Sequence, residues 1–312
     1  MNNRVLNEKI LHLSVVDGDL SLDQDTIIKA ENGEKVIIHG DLDSNRSLTF
    51  DCSVEADSID ISNNLSVSGD ITVKSLDISG HVTVDGDLIA KREVDINGHL
   101  NIVGRIQAYN LDIGGHVTSE NDISVERSIE VGGHIKTQAS INCQDLDIGG
   151  SLEIAGTLNA NLVEVGGHCE FGNAEILGEI DVGGSLKSNS GFSFNSLTIG
   201  SKLSCRGELT GNKLEVGGRV KVRGNFNVKS VEVGAKLEVA GSLKSDRLEI
   251  GGSLIVDGDL VITGLAEIGG KILILGQGIV TDIEVGGVLE AKKIKGASIV
   301  VGGKVVKVSC IK

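Results

Sequence analysis

One phrase returns along the chain at a nearly fixed interval. It reads LDIGGHV at Leu111–Val117, EVGGHI at Glu130–Ile135, DIGGSL at Asp147–Leu152, EVGGHC at Glu164–Cys169 and EVGGRV at Glu215–Val220. The second residue of each pair falls at Asn63, Gly80, Gly98, Gly115, Gly133, Gly150, Gly167, Gly184, Ser201, Gly218, Ala235, Gly252, Gly270, Gly287 and Gly303. Successive steps are mostly 17 residues, with 18 three times and 16 once. In a fixed repeat each unit contacts only its neighbours, so the chain grows in one dimension and length stops counting domains.

A single unit gives the design. In GSLEIAGTLNANLVEVG, Gly150–Gly166, the apolar or small residues are Leu152 and Ile154, Leu158 and Ala160, and Val163 and Val165. Each pair is spaced by two, the strand period. Every unit therefore contains three short strands, each turning two side chains inward. Gly156, Asn161–Leu162 and Gly166–Gly167 mark the corners between them. The extra residue of the 18-residue units falls at the second corner, in AKREV (Ala90–Val94) and ITGLA (Ile262–Ala266). An insertion confined there keeps the inward residues in register. The expected fold is all-β: a single-stranded, three-sided parallel β-helix, or β-solenoid, of about 17 residues per turn. At a strand spacing of about 4.8 Å, fourteen turns make a rod of roughly 70 Å. A lone turn could not offset its ordering entropy, whereas a stack can.

The glycine pairs mark the third corner, with Gly115, Gly133, Gly150, Gly167 and Gly184 as representatives. Glycine belongs where φ is positive or the backbone is crowded. The variants Ser62-Asn63, Ser79-Gly80, Asn97-Gly98, Gly200-Ser201 and Gly234-Ala235 each retain Gly or Asn, the residues that tolerate the left-handed region. A left-handed corner is therefore expected, with Gly166→Val destabilising.

Three segments follow from the repeat. Residues 1–45 read as irregular N-terminal turns or a cap, where KAENGEK (Lys29–Lys35) breaks the count. Residues 46–303 read as the regular solenoid, with one slip near Ile176. Residues 304–312 read as a terminal strand with no polar helix to cover it.

Composition narrows function. The net charge is −15 and the pI about 4.9. With no basic stripe, no Trp, one Tyr and five Phe, nucleic acid is not an expected partner. Proline is absent, as suits a backbone whose N–H groups sit in sheet ladders. The five cysteines show no CxxC spacing, so neither a disulfide framework nor a zinc site is indicated. Cys143, Cys169 and Cys205 fall on inward positions, and Cys310 lies in the final segment. The start, MNNRVLNEKILHLSVVDG, lacks the apolar stretch of a signal peptide, so a cytoplasmic protein with reduced thiols is expected.

Two outward columns stand out. Before the third corner, thirteen of fifteen units carry an acid, including Asp95, Asp112, Glu130, Asp147 and Glu164. Stacked like charges are destabilising, so water, counterions and lysines such as Lys213 and Lys229 should offset them. The alternative is a docking stripe for a basic protein or divalent cations. After the third corner come His81, His99, His116, His134 and His168, then Lys202, Arg219, Lys236, Lys271 and Lys304. This column reads as solvated cations balancing the acids, as a pH-sensitive face, or as a metal stripe, although a flat ladder converges poorly on a metal.

Short corners leave no cleft for catalysis, so no enzyme activity and no cofactor are expected. No phosphate cradle is seen. A solenoid instead ends in rows of unpaired strand edge. The C-terminal segment carries Val305, Val306, Val308 and Ile311, which are the expected self-association residues. LIVDGDLVITG (Leu254–Gly264), VTVDGDLIA (Val82–Ala90) and VKVRGNFNVKSVEVG (Val220–Gly234) resemble the repeats of bactofilins, the polymer-forming bacterial cytoskeletal proteins. The shared pattern runs from Leu65 to about Gly303. The resemblance implies a right-handed three-sided β-helix, a winding that parallel crossovers also favour. It further implies nucleotide-independent filaments and scaffolding at the inner face of the cytoplasmic membrane. The chain departs from the family in being nearly all repeat, with no Pro-rich tail and no N-terminal membrane anchor pattern. The alternative is a β-helical scaffold that does not polymerise and binds a partner through its charged columns.

Overall fold

The computed structural model describes residues 4–6 and 10–307. Among these there are strands and no helices, and every described pairing is parallel between one turn and the next. The chain divides into two compact units, Met1–Ala160 and Asn161–Lys312. Each is a β-solenoid; turns of the first unit are mostly three short strands, whereas in the second unit some run as one continuous strand, such as Lys271–Val285.

In the first unit one turn comprises Val82–Val84, Leu88–Ala90 and Glu93–Ile96. Its inward residues Val82, Val84, Leu88, Ala90, Val94 and Ile96 are all buried. Each lies over its counterpart in the next turn: Val82 over Leu100, Leu88 over Ile106 and Val94 over Leu111. The alternation of apolar and polar residues thus becomes columns of stacked aliphatic side chains. Large side chains contribute roughly 1.5–3 kcal/mol each. Polar residues on inward positions sit at corners, where they are satisfied. Ser119 donates to the Asn121 carbonyl at 2.7 Å, and Thr137 to the same oxygen at 3.2 Å.

The pairing already operates at the start of the described chain. Ile10–Leu13 lies against Thr26–Ala30, and Leu20–Leu22 against Asp41–Ser44. There the offset rises to 22 residues, as between Leu22 and Ser44, against 17 between Asp41 and Ser58. The excess is absorbed by KAENGEK, which forms a turn around Gly33 with φ of 82°.

In the second unit Leu254, Val256, Leu260, Ile262, Ala266 and Ile268 are buried in the same pattern. Register shifts occur between Glu175 and Glu179, between Ile262 and Leu265, and between Ile274 and Gln277. All lie at corners, so the strands on either side stay in phase.

The third corner differs from expectation. Among the described residues only Gly18 and Gly33 have positive φ, so Gly115, Gly133, Gly150, Gly167 and Gly184 are not left-handed. Their requirement is space. A Cβ on Gly115 would meet the Gly98 carbonyl oxygen and the His99 ring, and one on Gly184 the Gly167 carbonyl oxygen. Successive glycine pairs have closed together until backbone touches backbone. Asn63, Ser201 and Ala235 occupy the same position, so some corners accept a short side chain.

Candidate functional site

The column after the third corner has two geometries. In the first unit the rings of His81, His99, His116 and His134 stack face to face, with centroids 4.7 Å apart at each step and planes within 10°. Each Nδ1 accepts the backbone N–H of the column residue one turn on. The distances are 3.0 Å from His99 to His81, 2.9 Å from His116 to His99, 3.0 Å from His134 to His116 and 2.9 Å from Ser151 to His134. Below them, Asn64 Oδ1 accepts from the His81 N–H at 2.8 Å. The imidazoles therefore act as acceptor caps for a corner N–H that the strands leave unpaired.

This arrangement fixes the tautomer. A ring whose Nδ1 accepts must carry its proton on Nε2, so no lone pair is left for a metal. Among the described residues no group of three or more His, Cys, Asp or Glu is placed to hold a metal ion.

In the second unit the column is mostly cationic, and the N–H one turn on bonds to a backbone carbonyl instead. Above Lys202, the Arg219 N–H donates to the Ser201 carbonyl at 3.0 Å. Above Arg219, Lys236 and Lys271, the donors Lys236, Ser253 and Val288 reach Gly218, Ala235 and Gly270 at 3.3, 2.9 and 3.1 Å. A cation has no lone pair to offer, and above Ser185 and Ser253, whose side chains are too short to replace the ring, the donors Lys202 and Lys271 likewise reach Gly184 and Gly252 at 3.4 and 3.2 Å. His168 follows the second pattern. The Ser185 N–H bonds to the Gly167 carbonyl at 3.2 Å, while Nδ1 meets only the Ser185 hydroxyl and Nε2 lies 3.7 Å from Glu170.

The acidic column stacks residue on residue. In the first unit Asp43, Asp60, Asp77, Asp95, Asp112, Glu130 and Asp147 pair in register one after another. None of them makes an ion pair among the described residues. Partial burial, followed by the neighbouring carboxylates, pushes Asp43, Asp77 and Asp95 above the usual carboxyl value. In the second unit Glu215, Glu232, Glu249, Glu267 and Glu284 continue the same register. There Lys213 pairs with Glu215 at 2.5 Å and Arg247 lies 3.8 Å from Glu249. Glu164 precedes the Gly166–Gly167 corner on the strand Ser151–Val165.

Sequence reasoning missed a third column, at the first corner. Ser53 Oγ accepts the Asp70 N–H at 2.9 Å, Asp70 Oδ1 the Asp87 N–H at 2.8 Å, and Asp87 Oδ1 the Arg105 N–H at 2.8 Å. In the second unit Asn225, Ser242 and Asp259 cap Ser242, Asp259 and Gln277 in the same way. The signal was the short acceptor after the corner glycine, as in VDGDL. Asp87 also binds the Arg105 guanidinium at 2.8 Å, which holds its carboxyl below the usual range.

The expected self-association residues separate. Val305 lies over Leu289, on a core column, and is 63% exposed. Val306 lies over Glu290, on the outer face, and is half-buried. Val308 and Ile311 fall outside the described residues, as does Cys310. Beside Val305, the last full turn exposes Ile299, which stands over the buried Ile283. Ile299 was not anticipated, because in sequence it resembles any other core residue.

Cys52, Cys169 and Cys205 are buried and Cys143 is half-buried. Burial pushes the thiols of Cys143 and Cys169 up to about 12, which leaves them protonated and unreactive. The concavities run along the corners, as in a groove of about 410 Å³ that includes Asp23, Asp43 and Asp60. Among the described residues no helix is long and apolar enough to cross a membrane.

Residues 14–120 match the family model for bactofilins, described as polymer-forming cytoskeletal. Over this segment the chain is bactofilin-like. The bactofilin match begins earlier than the stretch from Leu65 on which the resemblance rests, and it takes in the irregular first turns. The bactofilin-like segment holds His81, His99 and His116 and ends before His134. Searches of the curated proteins and of the solved structures each returned no match.

Proposed function

We propose that the chain is a structural, bactofilin-like cytoskeletal element that assembles end to end with copies of itself and needs no nucleotide. The bactofilin match over residues 14–120 supports this reading, since that family is described as polymer-forming. The observation that carries it to this molecule is a ladder in which every described pairing is parallel and passes from one turn to the next, a pairing that a turn of a second copy can also make. Ile299 and Val305 occupy core columns and yet are exposed, whereas their counterparts one turn earlier, Ile283 and Leu289, are buried. A further turn from a second chain would bury them and continue the hydrogen-bond ladder. Right-handed winding, a cytoplasmic location and attachment at the inner membrane face belong to the same reading.

Electron microscopy of the purified protein tests it. Filaments that form without nucleotide and disappear in Ile299→Asp and Val305→Asp variants of unchanged melting temperature are the expected result. Dispersed particles at high concentration would overturn it. A second reading, a non-polymerising scaffold for a basic protein, is favoured by the unpaired acidic column of the first unit. Under that reading a basic protein binds at low salt, and Asp95→Asn with Asp112→Asn weakens its capture.

A further inference from the structure

We propose that the His81–His99–His116–His134 column is a proton-operated corner switch, in which protonation of the imidazoles moves each corner N–H from a ring nitrogen to a backbone carbonyl. The geometry of both states is present in the molecule. With a neutral histidine below it, the corner N–H points to Nδ1, at 2.9–3.0 Å in all four cases. With a Lys, Arg or Ser below it, none of which offers a ring nitrogen, the N–H turns to the carbonyl at the corner, at 2.9–3.4 Å. His168 shows that a histidine also fits the second state.

Protonation forces the choice. The second proton of an imidazolium must go to Nδ1, the atom that accepts the N–H. Donor would then face donor. The four rings would also carry charges 4.7 Å apart, a repulsion that water screens only in part. Both effects disappear if the ring swings out and the corner adopts the carbonyl-bonded form.

The surroundings do not hold the charge by direct contact. On the strands entering these corners stand Asp77, Asp95, Asp112 and Glu130, four positions before each histidine, and Glu93. None of them makes an ion pair with a ring among the described residues. On the strands leaving the corners the outward residues are Thr83, Asn101, Thr118 and Lys136, the last paired with Glu153 at 3.2 Å. Asn64 and Ser151 close the two ends of the column.

His99 is shifted in the corresponding direction. Its affinity for protons is lowered from the ordinary 6.5 by desolvation, then by His116 and His81. The sign follows. The unfolded chain takes up protons first as pH falls through 6.5. The stability that His99 gives its capped corner is complete above that value and is lost below it, until the folded His99 ring is protonated and the corner converts.

The test combines two measurements on the full chain. Imidazole nitrogen NMR of the wild type reads the tautomer, and the Nε2–H form is expected for these four histidines at alkaline pH. Amide hydrogen exchange is then compared above and below pH 6.5 and corrected for intrinsic rates. Exchange at His99, His116, His134 and Ser151 should speed up about tenfold on acidification, the loss of one hydrogen bond of ordinary strength. The corner of His168 serves as the internal control and should not change. The variant His81→Asn, His99→Asn, His116→Asn, His134→Asn keeps an acceptor, as Asn64 does, and should lose the acceleration. Nδ1–H tautomers at alkaline pH would overturn the proposal, and so would equal acid response in wild type and variant. Should the variant fail to fold, the tautomer and the contrast with His168 decide the matter on the wild type alone.

Discussion

At the scale of single residues, the core columns explain substitutions that composition leaves blank. Gly211 occupies an inward position between Phe194 and Val228, and a Cβ there would enter the Phe194 ring. Its small size answers one large neighbour. Gly211→Val should therefore cost about 1–3 kcal/mol by overpacking. Adding Phe194→Ala should recover part of that cost, a coupling that denaturant melts of the single and double variants can measure. Asp95 illustrates the opposite case, a residue that weakens the fold. Its carboxyl is pushed up by burial and then by Asp112, Asp77 and Glu93, so the charged form is disfavoured in the folded chain. Stability is lost at neutral pH and recovered as pH falls through the raised value. Asp95→Asn should stabilise by about 0.2–1 kcal/mol at neutral pH, with the gap to wild type closing on acidification.

At the scale of the element, the unit of design is the corner rather than the strand. Many strands are short, such as the three residues Leu88–Ala90, and find their partners through the ladder. The corners must find partners for N–H groups outside the ladder, and short acceptors one turn away supply them. Asp87 does so for the Arg105 N–H while also pairing with its guanidinium. Asp87→Ala should cost about 1 kcal/mol near neutral pH, reduced toward the lower end by solvent around the exposed guanidinium. The Arg105 hydrogen bond lowers this carboxyl from 3.8, so its contribution is present above 3.8 and lost as pH falls through the folded value. The difference between variant and wild type should accordingly vanish in acid, where urea titrations at several pH values would follow it.

At the scale of the whole molecule, stability should depend on complete turns and on charge. Removing residues 219–235, one full period within the second unit, leaves every column continuous. That variant should fold and melt cooperatively, with nearly unchanged circular dichroism per residue. Removing residues 219–226 instead breaks the three-strand cycle and should give an aggregated or unfolded product. A net charge of −15, with an unpaired acidic column in the first unit, opposes compaction. Raising salt about tenfold into the range of a short Debye length should therefore raise the melting temperature, and Asp95→Asn should blunt the rise.

The seventeen-residue period, the three strands per turn and the identity of the inward residues were legible in the sequence, because strand periodicity and repetition act on every unit at once. Val82, Leu88 and Val94 could be assigned to a core from spacing alone. Only the folded chain decided what the corners require. The glycine pairs read as left-handed turns until the stacking of Gly98 and Gly115 showed the constraint to be the closeness of two backbones. The histidine column could be seen but not its hydrogen bonds, since Nδ1 of His99 meets the N–H of His116 only after one complete turn. Spacing along a chain fixes which residues share a column. Distances between columns and corners depend on how closely the turns settle, which is a property of packed backbone in three dimensions.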